Sequence, residues 1–170
     1  MSPTSERPAD FDGYWGAVEE ELADLPVAAE LTHLPLQSNE HSTVYAARLT
    51  SIGPYRLFAW FSIPNGGDGP FATVYQLPGY GSVVHVPPYE LRQRYVMLAL
   101  RHRGQRLSDQ PYAAAYPGLL TDGIDDPTTY IYRGIVADCL RGMDFLLAAC
   151  RRKGMEGCGG SGRHDRIEER

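Results

Sequence analysis

The chain has 170 residues, of which 43% are hydrophobic and 22% charged, enough for one ordinary globular core and not obviously for two. A formal charge of −5 offers no basic stripe to a phosphate backbone or an anionic bilayer, so neither nucleic acid nor a membrane is an expected partner, and a neutral or small substrate fits better. The opening MSPTSERPAD lacks an apolar h-region and no run is long enough to cross a membrane, which makes the cytoplasm the expected location.

Cysteine usage narrows the chemistry further. Cys139, Cys150 and Cys158 are odd in number, so a disulfide framework is not indicated. Zinc bound by Cys150, Cys158 and His164 would need ligands spread over a glycine-rich stretch with no C-x-x-C pair, and no metal or organic cofactor is expected. Polarity and glycine concentrate at the two ends. Residues 1–9 are expected to be a disordered N-terminus, 10–150 the organised domain, and 151–170 a polar, Gly-rich disordered tail.

In chain order, the first element is a helix in DFDGYWGAVEEELADLP. Phe11, Tyr14, Trp15, Val18, Leu22 and Leu25 recur at helical spacing, with Asp10 or Asp12 available as N-cap and Pro26 as a stop. Next, AELTHLPL, STVYAARLTSI and YRLFAWFSIP are short β-rich runs, the last two joined across Gly53-Pro54, and they predict an antiparallel meander. After NGGDG, the run FATVYQLPGYGS is almost continuously apolar until Pro78-Gly79, which predicts a strand buried on both faces of a parallel sheet. YELRQR is short and polar, and the second buried-type run, YVMLAL, ends abruptly in RHRGQRLSDQ; two such strands around a crossover predict a right-handed βαβ unit.

The last element, PTTYIYRGIVADCLRGMDFLLAAC, predicts a long helix that covers the sheet with Ile131, Ile135, Cys139, Met143 and Leu146 or Leu147. The expected class is α/β. In such sheets chemistry gathers at the carboxyl ends of parallel strands, here the loops that begin at Pro78 and Arg101. Gly79 and Gly81 flank Tyr80 and allow a tight turn whose peptide N–H groups face a ligand oxygen; from the spacing alone an ordinary strand-to-helix turn is the preferred reading. Arg103 can hold its loop through carbonyls or a carboxylate such as Asp109 or Asp138, and Tyr130 and Tyr132 read as packing residues.

Four segments, FDGYWGAVEEELADLP, LPGYGS, RHRGQRLSD and GLLTDGIDDPTTYIYRGIVADCLRGMDFL, occur in the order seen in the acetyl xylan esterase and cephalosporin C deacetylase family. Over residues 10–148 the chain resembles the N-terminal part of these α/β-hydrolases, most specifically through R-G-Q followed by D-P-x-T-Y-x-Y-R. The resemblance implies a serine carboxylic-ester hydrolase that deacetylates acetylated sugars, xylo-oligosaccharides or small acetyl esters, usually intracellular and often oligomeric. It implies an oxyanion-hole donor in the backbone N–H of Tyr80, with Gly79, Gly81, Arg103, Gly104 and Gln105 supporting the loops. Pro78 stands where the family usually has His.

A hydrolase triad requires a further buried strand after the long helix, a G-x-S-x-G elbow at its end, and then an acid and a histidine. Residues 151–170 contain only Met155, Cys158 and Ile167 as sizeable apolar side chains, and Gly159-Gly160-Ser161-Gly162-Arg163 has arginine at the second motif glycine. Ser161 is therefore disfavoured as the nucleophile although His164 and Asp165 follow it. The chain is expected to be a truncated, inactive acetyl esterase whose YVMLAL strand becomes an exposed edge open to homo-oligomerisation. The alternatives are a non-catalytic interaction or ligand-binding module and a non-functional gene fragment.

Overall fold

The computed structural model describes residues 6–67, 71–79, 82–115 and 120–152. Helix α1 (Phe11–Ala23) forms where the helical periodicity placed it and buries Val18 and Leu22. Asp10 occupies the N-cap position but is itself helical in φ and ψ, and its side chain makes no capping bond; its carbonyl instead accepts the Tyr14 N–H at 2.8 Å.

Strands β1 (Glu30–His33), β2 (Ser42–Ser51) and β3 (Tyr55–Pro64) make the expected antiparallel meander. The β2–β3 hairpin turns at Gly53, whose φ of +81° lies in the left-handed region that glycine enters without a steric penalty. Strand β4 (Thr73–Gln76) and strand β5 (Val96–Arg101) are parallel, with the short helix α2 (Tyr89–Arg92) between them, as a βαβ reading requires.

The sheet order is β1-β2-β3-β5-β4, which corrects two expectations. The YVMLAL strand is not an edge: β5 hydrogen-bonds antiparallel to β3 and parallel to β4, and all of its residues are buried. The FATVYQLPGYGS run is not buried on both faces; among its described residues only Thr73–Gln76 forms a strand, at one edge of this sheet, half-buried and ending in exposed Gln76. An apolar run signals a buried strand without saying which neighbour covers it, so the two parallel strands could not be ordered from periodicity.

Helix α3 (Ile131–Arg152) lies on one face of the sheet. The main core there joins Ala47, Leu49, Leu57, Ala59, Phe61, Val96, Leu98 and Leu100 to Phe145 and Leu146, and Phe61 meets Phe145 edge to face at 5.2 Å. A second cluster of Val18, Leu22, Ile52 and Ala137 packs α1 on α3, tied by Arg141 Nη2 donating to the Leu22 and Leu25 carbonyls at 2.5 and 2.9 Å. The buried face of α3 is rotated from the predicted one: Ile135 and Leu146 are inside, but Met143 is 39% exposed, and Asp138 and Arg141 are buried. The class is α/β, as the sequence predicts.

Candidate active site

The carboxyl ends of β4 and β5 open into two loops, and the structure ties these loops to each other. The first leaves β4 through Leu77, Pro78 and Gly79. The Gly79 carbonyl accepts both the Ser82 N–H at 3.1 Å and the Ser82 hydroxyl at 2.9 Å. Tyr80 and Gly81 lie outside the described residues, so the implied oxyanion donor has no geometry here.

The second loop, residues 102–108, leaves β5 as a knot of short-range bonds. The Gln105 N–H donates to the His102 carbonyl at 3.2 Å, the Ser108 N–H to Gln105 at 2.7 Å and the Gly104 N–H to Ser108 at 2.8 Å. Gly104 has a φ of +83°, and a Cβ there would stand 2.6 Å from Tyr112 Cε1, so only glycine fits. Leu107 also has a positive φ, +72°, costly for a branched side chain; its carbonyl is held by Arg48 Nη1 at 2.6 Å. The Ser108 hydroxyl donates to the Arg101 carbonyl at 2.7 Å and accepts the Phe58 N–H at 2.8 Å, which welds the loop to the β3–β5 pair.

Arg103 anchors this loop from below. Its Nε and backbone N–H donate to Asp138 Oδ2 at 2.9 and 2.8 Å, and its Nη2 donates to Asp138 Oδ1 at 2.8 Å and to the Ile52 carbonyl at 3.1 Å. Asp138 is fully buried. Of the two carboxylates considered for Arg103, Asp138 is the one engaged, and the fork geometry explains why: both carboxylate oxygens are used at once. Gly134 sits under the guanidinium, where a Cβ would overlap it. Tyr55 lies beside this pair, its hydroxyl accepting the Gly104 N–H at 3.2 Å and lying within 2.8 Å of the Ser108 and Tyr112 carbonyls. Burial and neighbouring Asp138 push the Tyr55 phenol up.

The two loops meet through Gln105 and Arg101. Gln105 Nε2 donates to the Ser82 carbonyl at 2.9 Å, while its Oε1 is buried without a partner. Arg101 donates to the Val84 carbonyl through Nε at 2.9 Å and Nη2 at 2.7 Å. Of the residues that the sequence brought forward, Gly79, Gly104, Gln105 and Arg103 thus fall in one region. Arg101, His102, Ser82 and Ser108 were missed; the available signal was the row of polar residues that directly follows an all-apolar strand.

His102 is buried, with Nδ1 2.9 Å from the Arg103 carbonyl. Burial pushes its pKa down, against weaker upward pulls from that carbonyl and from Asp138. Elsewhere, His33 Nε2 stands 3.2 Å from Ser38 Oγ, but that hydroxyl donates to Leu34 O and accepts the Val44 N–H, so the pair shapes a turn and activates nothing. Tyr130 and Tyr132 stack on each other at 5.6 Å on the helix start, and the Tyr130 hydroxyl donates to Leu120 O.

Among the described residues, no three His, Cys, Asp or Glu side chains group to hold a metal ion, and no helix is long and apolar enough to cross a membrane. Cys139 is half-buried, its thiol pushed up to about 11 chiefly by burial and then by Asp138, and Cys150 is buried. Cys158, Ser161 and His164 lie outside the described residues.

The model of the acetyl xylan esterase (AXE1) family matches residues 1–150. Acetyl esterase Axe7A of Xylanibacter ruminicola is 22% identical over 158 residues, which cover 86% of this chain and 36% of that protein. The fold resembles acetyl xylan esterase from Paenibacillus sp. R4 with a TM-score of 0.71 at 24% identity, over 86% of this chain and 49% of that one. It also resembles acetyl xylan esterase 1 from Thermoanaerobacterium sp. JW/SL YS485 with a TM-score of 0.69 at 20% identity, over 85% and 47% of the two chains. The chain therefore spans about a third of the curated relative and about half of the solved structures.

Proposed function

The chain belongs to the acetyl xylan esterase family, and from that premise we propose that residues 10–150 form the acetyl-binding side of a serine carboxylic-ester hydrolase acting on acetylated sugars, xylo-oligosaccharides or small acetyl esters. The observation that carries this reading is the linkage of the 79–84 loop to the 102–108 loop at the carboxyl ends of the two parallel strands, through Gln105 and Arg101. A carbonyl under attack needs N–H donors fixed before charge develops, and a loop whose own carbonyls are already bonded can present such donors without reorganising. In this reading the Tyr80 N–H is one oxyanion donor, Gly79 and Gly81 give the turn, and Arg103, Gly104 and Gln105 hold the neighbouring loop.

In this reading Ser161 is not favoured as the nucleophile, and the chain by itself binds an acetyl ester without turning it over. The second reading, a ligand-binding module without catalysis, uses the same two linked loops.

Calorimetric titration with O-acetylated and deacetylated xylobiose, combined with a p-nitrophenyl acetate assay of wild type and Ser161→Ala, tests the proposal. Tighter binding of the acetylated sugar, with no hydrolysis that depends on Ser161, is expected. Equal or absent binding of both sugars would remove the acetyl-ester reading, and hydrolysis abolished by Ser161→Ala would make Ser161 the nucleophile after all.

A further inference from the structure

We propose that Arg101 is a positioning residue which, together with Gln105, clamps the Ser82–Val84 backbone and so sets the direction of the peptide N–H groups on the acetyl-binding loop. The catalytic meaning of the clamp rests on the esterase reading above; the clamp itself does not.

Arg101 is the last residue of β5 and is only 5% exposed. Its guanidinium lies 5.8 Å from the ring centroids of both Phe58 and Trp60. Arg103, Arg133 and Arg141 each face a carboxylate, whereas among the described ion pairs Arg101 has none. Removing a cation from water is costly, and an apolar side chain of similar length would pack on two aromatic rings at less cost. What the guanidinium gains at this position is carbonyl oxygen: Nε and Nη2 both donate to Val84 O, and Nη1 donates to Arg106 O at 3.0 Å. A planar fork with two donors on one acceptor fixes both the distance and the orientation of that peptide, which a lysine ammonium cannot do.

Gln105, 9% exposed, supplies the second point by donating Nε2 to Ser82 O. Ser82 in turn donates its N–H and hydroxyl to Gly79 O, so the bonding runs unbroken from Arg101 and Gln105 to the glycine that leaves β4. A trans peptide points its C=O and N–H in opposite directions. With the carbonyls of Ser82 and Val84 bonded toward the 102–108 turn, the N–H groups of Val83 and His85 point away from it, on the side where Val83 and His85 are exposed.

Hydrogen exchange resolved at single amides tests the clamp in the full chain, comparing wild type with Arg101→Met, Arg101→Lys and Gln105→Leu. Ser82 carries the readout, because its N–H is bonded to Gly79 O and its carbonyl is held by Gln105. Loosening the Ser82–Val84 backbone is expected to speed exchange at Ser82 by about tenfold or more in Arg101→Met, with a smaller rise in Arg101→Lys. Gln105→Leu is expected to speed Ser82 as well, and β2 and β3 amides are expected to keep wild-type rates in all three. Ser82 exchange within about twofold of wild type in Arg101→Met would overturn the clamp. If Arg101→Met does not fold, Arg101→Lys and Gln105→Leu decide it by the same criterion.

Binding of O-acetylated xylobiose, measured beside thermal midpoints, gives the readout that a merely structural role would not move. Affinity is expected to fall about tenfold in Arg101→Met and to recover in part in Arg101→Lys at matched thermal stability. Equal affinities across the variants would overturn the positioning role. If wild type itself does not bind the sugar, the esterase reading fails, and the exchange comparison still decides the clamp.

Discussion

Gly104 shows how much one residue of the 102–108 turn is asked to satisfy. Its φ is +83° and Tyr112 stands where a Cβ would go, so Gly104→Ala combines backbone strain with a clash and is expected to destabilise by about 2–4 kcal/mol in urea unfolding. His102, two residues earlier, gives the turn a pH dependence. Its folded-state pKa is lowered, chiefly by burial, so the unfolded chain takes up the proton more readily. The stabilising contribution is therefore complete above the unfolded value near 6.5 and is lost as pH falls from there toward the folded value. Urea midpoints recorded between about pH 5 and pH 7.5 are expected to rise with pH in wild type and to flatten in His102→Gln. At this scale the sequence was legible where chemistry is directional: R-G-Q placed an arginine that needed a carboxylate, and Asp138 was one of the two considered. Arg101 was illegible, because its partners are backbone carbonyls and carbonyls leave no mark in a sequence.

Helices and strands were legible where apolar periodicity reports burial and illegible where packing depends on small or polar residues. The meander, the parallel pair and both long helices stand close to where spacing placed them. The contact face of α3 did not follow, because part of that face carries no hydrophobic signal. Gly142 lets the helix approach Tyr75, whose hydroxyl donates to the Cys139 carbonyl at 2.8 Å, Gly134 makes room for Arg103, and Asp138 and Arg141 spend buried positions on hydrogen bonds. Two adjacent substitutions separate the faces. Gly142→Ala, which drives a methyl into Tyr75, is expected to cost about 1–3 kcal/mol, whereas exposed Met143→Ala is expected to stay within about 0.5 kcal/mol of wild type by the same unfolding assay. Equal effects would mean that the face is assigned wrongly.

Over the whole molecule, strand order was the feature that one sequence could not supply. Two apolar runs in parallel strands look alike, and only the pairing of β5 with both β3 and β4 shows that the later strand is the inner one. That placement puts the 79–84 and 102–108 loops side by side, at the end of the sheet where α/β proteins bind ligands, and it leaves β4 as the outer strand of the parallel pair. Periodicity carried the class and the resemblance the family; the way in which Arg103, Gln105 and Arg101 divide the support of the two loops came only from the structure. The central claim is that these loops form the acetyl-binding side of an esterase site. Chemical-shift mapping with O-acetylated xylobiose tests it most directly, with deacetylated xylobiose as the control. The account predicts saturable shifts centred on residues 79–85, Tyr80 included, and on the 102–105 turn, seen only with the acetylated sugar; shifts centred on α1 or β1, or identical shifts with both sugars, would contradict it.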